Sequence, residues 1–532
     1  MSVPFLYDGV VTNVIAPQPT VPVGNPNLPS VLIGTGSWGQ PNVGIPFTAT
    51  SDLYDGVGAI QQVASDLATH CTQYILACAA MGTQGNGYAI RVTDGTDFVA
   101  TVTVTDTTTP TPGLVLVLTA RCTGTRGNSG TATVTKNAQW TTAKPIYDIT
   151  LTISGASPEV FQGVIANTGT AYTAAIFVAN AVSAINYGLN LSRGPSKYWV
   201  ASAPPTQSAV VPLLSTAFPS SGTGTNGSAS LTSANYVGIP GLSATGMYAA
   251  GNLNCGQFVL CGCVDQTIAA TMASFATTNN CIAVGPSFPE NTSTATAITS
   301  KQTNNFNAIS SVAILDFVQW YDPTLGQLRS LSPESNVLGV IGSTSPEQNP
   351  GNNPQIGLPH LVSTDRTATG TYNPRSGTEA SQATQAGITW LGPMNRNKSF
   401  IGLANGQNAS GLAGQDGINY PRLTNYLKTA LPLIVGAYVD ALQGTSNNDP
   451  TRRGVRNALN NFFGALKANG QIDTFNVVCD TSNNTQVTIA AGQLNVSISV
   501  EYLGAARFIT LNLQGGVNVS ITSNIAAIPQ AA

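Results

Sequence analysis

From residue 258 to residue 317, short apolar runs alternate with stretches of helical spacing. Segments 258–261, 281–284 and 312–317 read as buried strands, and 266–275 and 301–309 as the helices that join them. Parallel strands need a crossover about as long as a helix, so the alternation predicts an open α/β sheet. The same pattern occurs earlier. A strand is expected at 30–33, then a helix over 55–74 with Val57, Ile60, Val63, Leu67 and Cys71 on one face, then a strand at 89–92. Between 98 and 153 the period changes to two. Val/Thr strands at 98–105, 114–120, 131–135 and 149–153 predict a small β-rich insertion. Segment 159–191 holds a helix whose face is read as Ile176, Ala179, Val182 and Ile185, and the Ser/Thr/Gly-rich stretch 206–235 reads as a loop.

The first thirty residues contain Pro4, Pro17, Pro19, Pro22, Pro26 and Pro29. Each proline removes a donor and fixes φ, so this segment is predicted to be an extended arm. At about 3.1 Å per residue it reaches on the order of 90 Å. Its apolar pieces, which include Phe5, Tyr7, Val10 and Val14, are candidates to pair as strands with another surface.

Near the other end, Leu423, Leu427, Leu431, Ile434, Tyr438 and Leu442 predict a helix interrupted by Pro432. Asp449-Pro450 reads as an N-cap with proline at the first helical position. Val455, Leu459, Phe462 and Leu466 form that helix's apolar face, and Gly470 ends it. Residues 487–490 read as a strand. Leu494, Val496, Ile498, Val500 and Tyr502 alternate strictly, which predicts a half-buried strand. Phe508, Ile509, Leu511 and Leu513, then Val517 and Val519, continue in the same style.

Charge is scarce. Only 8% of the 532 residues are Asp, Glu, Lys or Arg, against about 25% in an average soluble protein. The net charge of −3 excludes a basic nucleic-acid coat and an acidic tail alike. A surface of Ser, Thr, Asn and Gln desolvates at less cost than one of unpaired charges. It suits a chain that buries much of itself against other chains, and equally a Thr/Ser-rich secreted β-protein. No apolar run nears the ~20 residues of a membrane span. No basic residue precedes Arg91, so an export leader is not expected.

Signals for chemistry are weak. Gly34-Thr-Gly-Ser-Trp-Gly39 matches G-x-G-x-x-G after a strand, but Pro41 and Pro46 follow where a nucleotide site needs a helix. A tight turn is the expectation. The histidines are His70 and His360, and no G-x-S-x-G surrounds a serine. Cys255, Cys261, Cys263 and Cys281 lack zinc spacing and sit among Val, Leu and Ala, so they read as buried thiols. Arg452, Arg453 and Arg456 crowd the first turns of a helix, where cations oppose the macrodipole. They mark either a partner surface or a solvated face, and replacing all three with Gln is expected to leave folding intact.

Several stretches, in this order, resemble the tail sheath protein of contractile-tailed bacteriophages. They are Ser30-Val-Leu-Ile-Gly-Thr-Gly-Ser-Trp-Gly39 with Pro41 and Pro46; Tyr88-Ala-Ile-Arg91-Val; Gly124-Thr-Arg-Gly127-Asn128; Trp320-Tyr321-Asp322-Pro323 with Leu338-Gly339; and 417–470 followed by 475–502. Where the family pattern reads P-P-S, this chain reads Ser332-Pro333-Glu334.

The resemblance implies a multidomain α/β plus β protein. Its expected parts are an arm at 1–30, an open, subtilisin-like but non-catalytic α/β core at 31–95 and 196–362, and an inserted β-rich domain with a helix at 96–195. An α+β assembly domain at 363–505 and an arm at 506–532 complete it. It further implies a structural subunit, not an enzyme, that needs no cofactor or metal. The subunit polymerises with itself as stacked hexameric rings around a tail tube protein, contacts baseplate and tail terminator proteins, and contracts to drive the tube through the host envelope. It binds no nucleic acid directly, inserts in no membrane, and is assembled in the bacterial cytoplasm as part of the virion tail. Arm strands carrying Phe5, Tyr7, Val10, Val14, Phe508, Ile509, Leu511, Leu513, Val517 and Val519 would add to a neighbour's sheet formed by Leu494, Val496, Ile498, Val500 and Tyr502. Arg452, Arg453 and Arg456 are the candidates for contact with the tube. The competing functions are a surface adhesin or spike-like binding protein, which predicts repeats or an export signal, and a degenerate subtilase-like hydrolase, which predicts a histidine beside a serine and an aspartate.

Overall fold

Strand Ser30–Gly34 is buried on both faces, the signature of a central parallel strand covered by helices. The computed structural model describes residues 28–58, 71–82, 86–108, 110–167, 169, 172–189, 193–322, 326–352, 361–366, 375–393, 401–412, 414–446 and 448–505. In it this strand lies inside an eight-stranded sheet. The spatial order is Ile401–Leu403, Ile388–Pro393, Ser311–Leu315, Ile282–Ser287, Gln257–Leu260, Ser30–Gly34, Gly87–Arg91, Gly44–Phe47. The two outermost strands are antiparallel and all the pairings between them are parallel. Successive side chains go to opposite faces. Leu32 and Val259 pack on one side with Tyr74, Ala77 and Ile341, from helices Cys71–Met81 and Glu334–Ser343. Val31, Ile33 and Phe258 pack on the other with Met272 and Phe275 of helix Ala269–Thr278.

Two helices depart from the expectation. In place of one helix over 55–74, Thr50–Val57 is stopped by Gly58 in the left-handed region (φ 67) and Cys71–Met81 follows; Ile60, Val63 and Leu67 lie outside the described residues. The helix expected at 301–309 is Thr294–Thr303, started by the Ser293 hydroxyl accepting from Thr296 N at 3.1 Å. The G-x-G-x-x-G loop opens no helix: the chain turns with Gly39 at φ 98 and runs into strand Gly44–Phe47.

The β-rich insertion forms two four-stranded sheets. One has the order Ala217–Pro219, Thr131–Lys136, Ile146–Thr152, Glu159–Ile165; the other is Thr225–Asn226, Asp97–Thr105, Leu114–Thr123, Trp199–Ser202. Its sheets therefore continue past residue 195, the expected end, and stretch 206–235, read as a loop, supplies two edge strands. Trp199, Phe161 and Phe177 fill the core. Helix Ala174–Tyr187 covers it with Phe177, Val178, Ala181, Ala184 and Ile185. The face expected from Ile176, Ala179, Val182 and Ile185 is thus rotated, and Ala179 is exposed.

Two buried arginines join the insertion to the main sheet. Arg91 is 0% exposed. It donates to Gly39 O at 2.6 Å, to Thr123 O and Oγ1 at 2.7 and 2.8 Å, and to Asn226 O at 2.8 Å. Arg126 lies against the rings of Trp38 and Tyr198 and donates to Ser154 O at 2.9 Å and to Tyr54 O. Gly124 allows the close approach: a Cβ there would stand 2.1 Å from Ser37 O.

Contacts divide the chain into two units, with the boundary at Leu427 inside helix Asn419–Val435. The expected boundary at 363 moves because strands Ile388–Pro393 and Ile401–Leu403 belong to the main sheet. In the second unit, helix Asn419–Val435 ends before Leu442, which is 93% exposed, so the expected helix through Leu442 is corrected. Residues 487–490 form a helix, Gln486–Ala490, not a strand: the Thr485 side chain caps it by accepting from Thr488 N.

Candidate assembly interface

Asp449 and Pro450 act as expected. Asp449 accepts from Arg452 N at 2.9 Å and from Gly444 N at 2.7 Å, and Pro450 opens helix Pro450–Ala468. The helix buries Val455, Leu459, Phe462, Phe463 and Leu466 on one face. Phe463 stacks on Phe475 at 5.5 Å between ring centroids. Phe475 belongs to strand Thr474–Val478, which pairs antiparallel with Ser497–Glu501. The register places Phe475 opposite Val500 and Val477 opposite Ile498. These four share the face turned to the helix, and Thr474, Asn476, Ser499 and Glu501 are exposed on the other.

The excursion between the strands is closed by amides. Asn484 donates to Asn495 O at 2.8 Å and accepts from Asn495 N at 2.7 Å, and Asn483 donates to Val478 O at 2.8 Å. Asp480 accepts from Ser482 Oγ at 2.6 Å and Ser482 N at 2.8 Å. Ser482's hydroxyl, above all, holds the Asp480 carboxyl below its usual range, and Arg456 adds to the effect. These clips fix the register of the pair.

Leu494, Val496, Ile498, Val500 and Tyr502 are each half-buried and the residues between them exposed, but the strand expected from their alternation is shorter, Ser497–Glu501, and leaves Leu494, Val496 and Tyr502 outside it. Among the described residues this sheet has two strands and two open edges. The pair is supported by helix Pro450–Ala468 on one face, and an open edge is a template for another strand. Exposed Leu433, Val439, Leu442, Val487 and Leu503 lie in the same unit. Phe5, Tyr7, Val10, Val14, Phe508, Ile509, Leu511, Leu513, Val517 and Val519 lie outside the described residues, as do His70 and His360.

The arginine cluster is corrected. Arg452 is 1% exposed and donates to Gly444 O at 2.7 Å and to Ser446 O, so it holds the preceding loop and is not presented to a partner. Arg456 is half-buried, and Arg453 alone is exposed. Replacing all three with Gln therefore does not leave folding untouched. Arg452→Gln is expected to cost about 1–3 kcal/mol, since it removes a buried charged donor that holds the loop at Gly444 and Ser446, and Arg453→Gln less than about 0.5 kcal/mol. Urea midpoints of the two variants check this; equal midpoints would contradict the assignment.

The described residues contain no group of three His, Cys, Asp or Glu that could hold a metal, and no helix among them is long and apolar enough to cross a membrane. Cys255, Cys261, Cys263, Cys281 and Cys479 are buried and free; burial pushes the Cys263 thiol up to about 11.

No curated protein matches the sequence. Two solved structures are similar over nearly the whole chain. The sheath tail protein of Desulfitobacterium hafniense has a TM-score of 0.56 at 15% identity, covering 89% of this chain and 94% of its own. The sheath tail protein of Listeria innocua has a TM-score of 0.56 at 15% identity, covering 90% and 95%. The family model described as phage tail sheath C-terminal domain matches residues 417–515, the stretch that contains the paired strands Thr474–Val478 and Ser497–Glu501. The chain thus has the fold of sheath tail proteins, and its residues 417–515 are similar to the phage tail sheath C-terminal domain.

Proposed function

We propose that this chain is the structural subunit of a contractile tail sheath, polymerising with itself around a tail tube and contracting to drive that tube through a host envelope. The observation that carries the reading is the sheet that, among the described residues, has two strands and both edges open, within the segment that matches the sheath C-terminal domain. Segments 1–30 and 506–532 act as arms. Residues around Phe5, Tyr7, Val10 and Val14, and around Phe508, Ile509, Leu511, Leu513, Val517 and Val519, add as strands to the neighbour's pair. Main-chain hydrogen bonds give the link its strength, and alternating side chains give it register.

A link of this kind keeps its hydrogen bonds while its flanking segments rotate, so stacked rings can rearrange from a metastable extended lattice to a compact one without separating. The driving energy is conformational, and the core acts as an open, subtilisin-like but non-catalytic α/β sheet. Baseplate and terminator proteins are the partners at the two ends of the lattice, and the particle is a virion tail assembled in the host cytoplasm. Arg453, exposed at the start of its helix, is the member of the arginine cluster left to face the tube.

Negative-stain electron microscopy of the purified full chain tests the reading. Striated hollow cylinders are expected; monomers under every assembly condition would count against it.

A further inference from the structure

The parallel strands of the main sheet wind in two directions. In chain order the second, Gly87–Arg91, lies on one side of Ser30–Gly34, while Gln257–Leu260, Ile282–Ser287, Ser311–Leu315 and Ile388–Pro393 extend on the other. The reversal falls between Ser30–Gly34 and Gln257–Leu260. An open α/β sheet of this order binds ligands just beyond the carboxyl ends of the strands at such a point. Here Cys261 N donates to Ile33 O at 2.7 Å across the gap, and Gly262 follows.

Gly262, on the loop that borders that place, is held by a side chain of the protein. Glu334, the first residue of helix Glu334–Ser343, is 0% exposed. Its carboxylate accepts from Gly262 N at 2.6 Å, Ser332 Oγ at 2.7 Å and Ser287 Oγ at 2.8 Å. Gly262 and Ser287 stand at the carboxyl ends of two adjacent strands, and the helix N-terminus adds a favourable field for an anion. A second layer holds the donors: Gln73 Nε2 donates to Ser332 Oγ at 2.8 Å, and Ser335 Oγ to Cys261 Sγ at 3.3 Å. No ion pair found among the described residues includes Glu334. Burial pushes its carboxyl up, and the Ser332 hydroxyl is the strongest of the hydrogen bonds that pull it back. A buried carboxylate without a cation costs several kcal/mol unless its acceptor sites are met, and here they are.

We infer that Glu334 is the sheet's own ligand: its carboxylate fills an anion site beside the strand-order reversal, at the carboxyl ends of Gln257–Leu260 and Ile282–Ser287, and ties helix Glu334–Ser343 to those two strand ends. It is therefore a carboxylate site that an external carboxylate enters once the side chain is cut back. This goes beyond the assembly reading and does not depend on it, because the test uses the unassembled full chain.

Glu334→Ala removes an acetate-sized group. Its Tm is expected to fall well below that of the unaltered protein. Sodium acetate should raise it saturably, on the order of 5 °C with acetate at about a hundred times its dissociation constant, and sodium chloride at equal ionic strength should not. Neither the unaltered protein nor Glu334→Gln, which keeps the site filled, should respond to acetate beyond chloride. If Glu334→Ala does not fold in chloride, refolding yield replaces Tm: recovery in acetate supports the inference, and equal failure in both salts overturns it. A Tm of Glu334→Ala that responds alike to acetate and chloride also overturns it.

Discussion

Arg91→Met is expected to lower stability by about 3–5 kcal/mol and to split one unfolding transition into two. The methionine keeps much of the volume but leaves the carbonyls of Gly39, Thr123 and Asn226 without their donor in a place where Arg91 is 0% exposed. Each such group costs about 1–3 kcal/mol when buried unmet. The three carbonyls belong to three separate pieces of chain: the loop after the first strand, the end of strand Leu114–Thr123, and strand Thr225–Asn226, at which the chain leaves the insertion. One guanidinium thus couples the β-rich insertion to the main sheet, and without it the insertion should melt first. Arg91→Lys should recover only part of the loss, because an ammonium cannot span the fan of acceptors that a planar fork reaches. Calorimetry checks the result. A single transition at an unchanged midpoint would show that the arginine is dispensable to the joint.

Arg91 stood in the sequence inside a strand-like Tyr88-Ala-Ile-Arg91-Val, and nothing local marks what it holds, since its acceptors come from residues 39, 123 and 226. Elements whose signal is local were legible. The short apolar runs at 258–261 and 281–284, alternating with helical stretches, read as strands of an open α/β sheet and are the buried strands Gln257–Leu260 and Ile282–Ser287, and Asp449-Pro450 with Val455, Leu459, Phe462 and Leu466 defines a helix from its cap inward. Helix Thr294–Thr303 was misplaced because its Thr-rich sequence carries almost no apolar period, with Ala297 its only buried apolar residue. Segment 487–490 misled because a β-branched run of that length fits either structure, and the Thr485 cap decides for helix. Arg452 looked like a cation in an unfavourable field, yet its side chain turns back to the carbonyls of Gly444 and Ser446. In the candidate interface, alternation gave the half-buried face from Leu494 to Tyr502; that both edges are open among the described residues depends on what else pairs there, which no local pattern encodes.

Those edges carry the second large effect. Successive N–H groups along a strand point to opposite sides. Of the neighbouring variants Ile498→Pro and Ser499→Pro, one should break the pairing with Thr474–Val478 and lower the stability of its unit by about 3 kcal/mol or more. The other should remove an outward N–H, leave Tm nearly unchanged and abolish assembly. A lattice links every subunit to its neighbours through such strands, so a modest loss at each link is multiplied along the polymer, and the effect on cylinder formation should be close to all-or-none. Neighbouring prolines that both spare assembly would remove the sheet edge from the account.

The most direct measurement is electron microscopy of three proteins purified in parallel: the full chain, a chain lacking residues 1–25, and a chain lacking 507–532. The account predicts striated cylinders from the first and folded subunits without cylinders from the other two, with circular dichroism of all three nearly the same. Cylinders of unchanged diameter and striation from either shortened chain would contradict it.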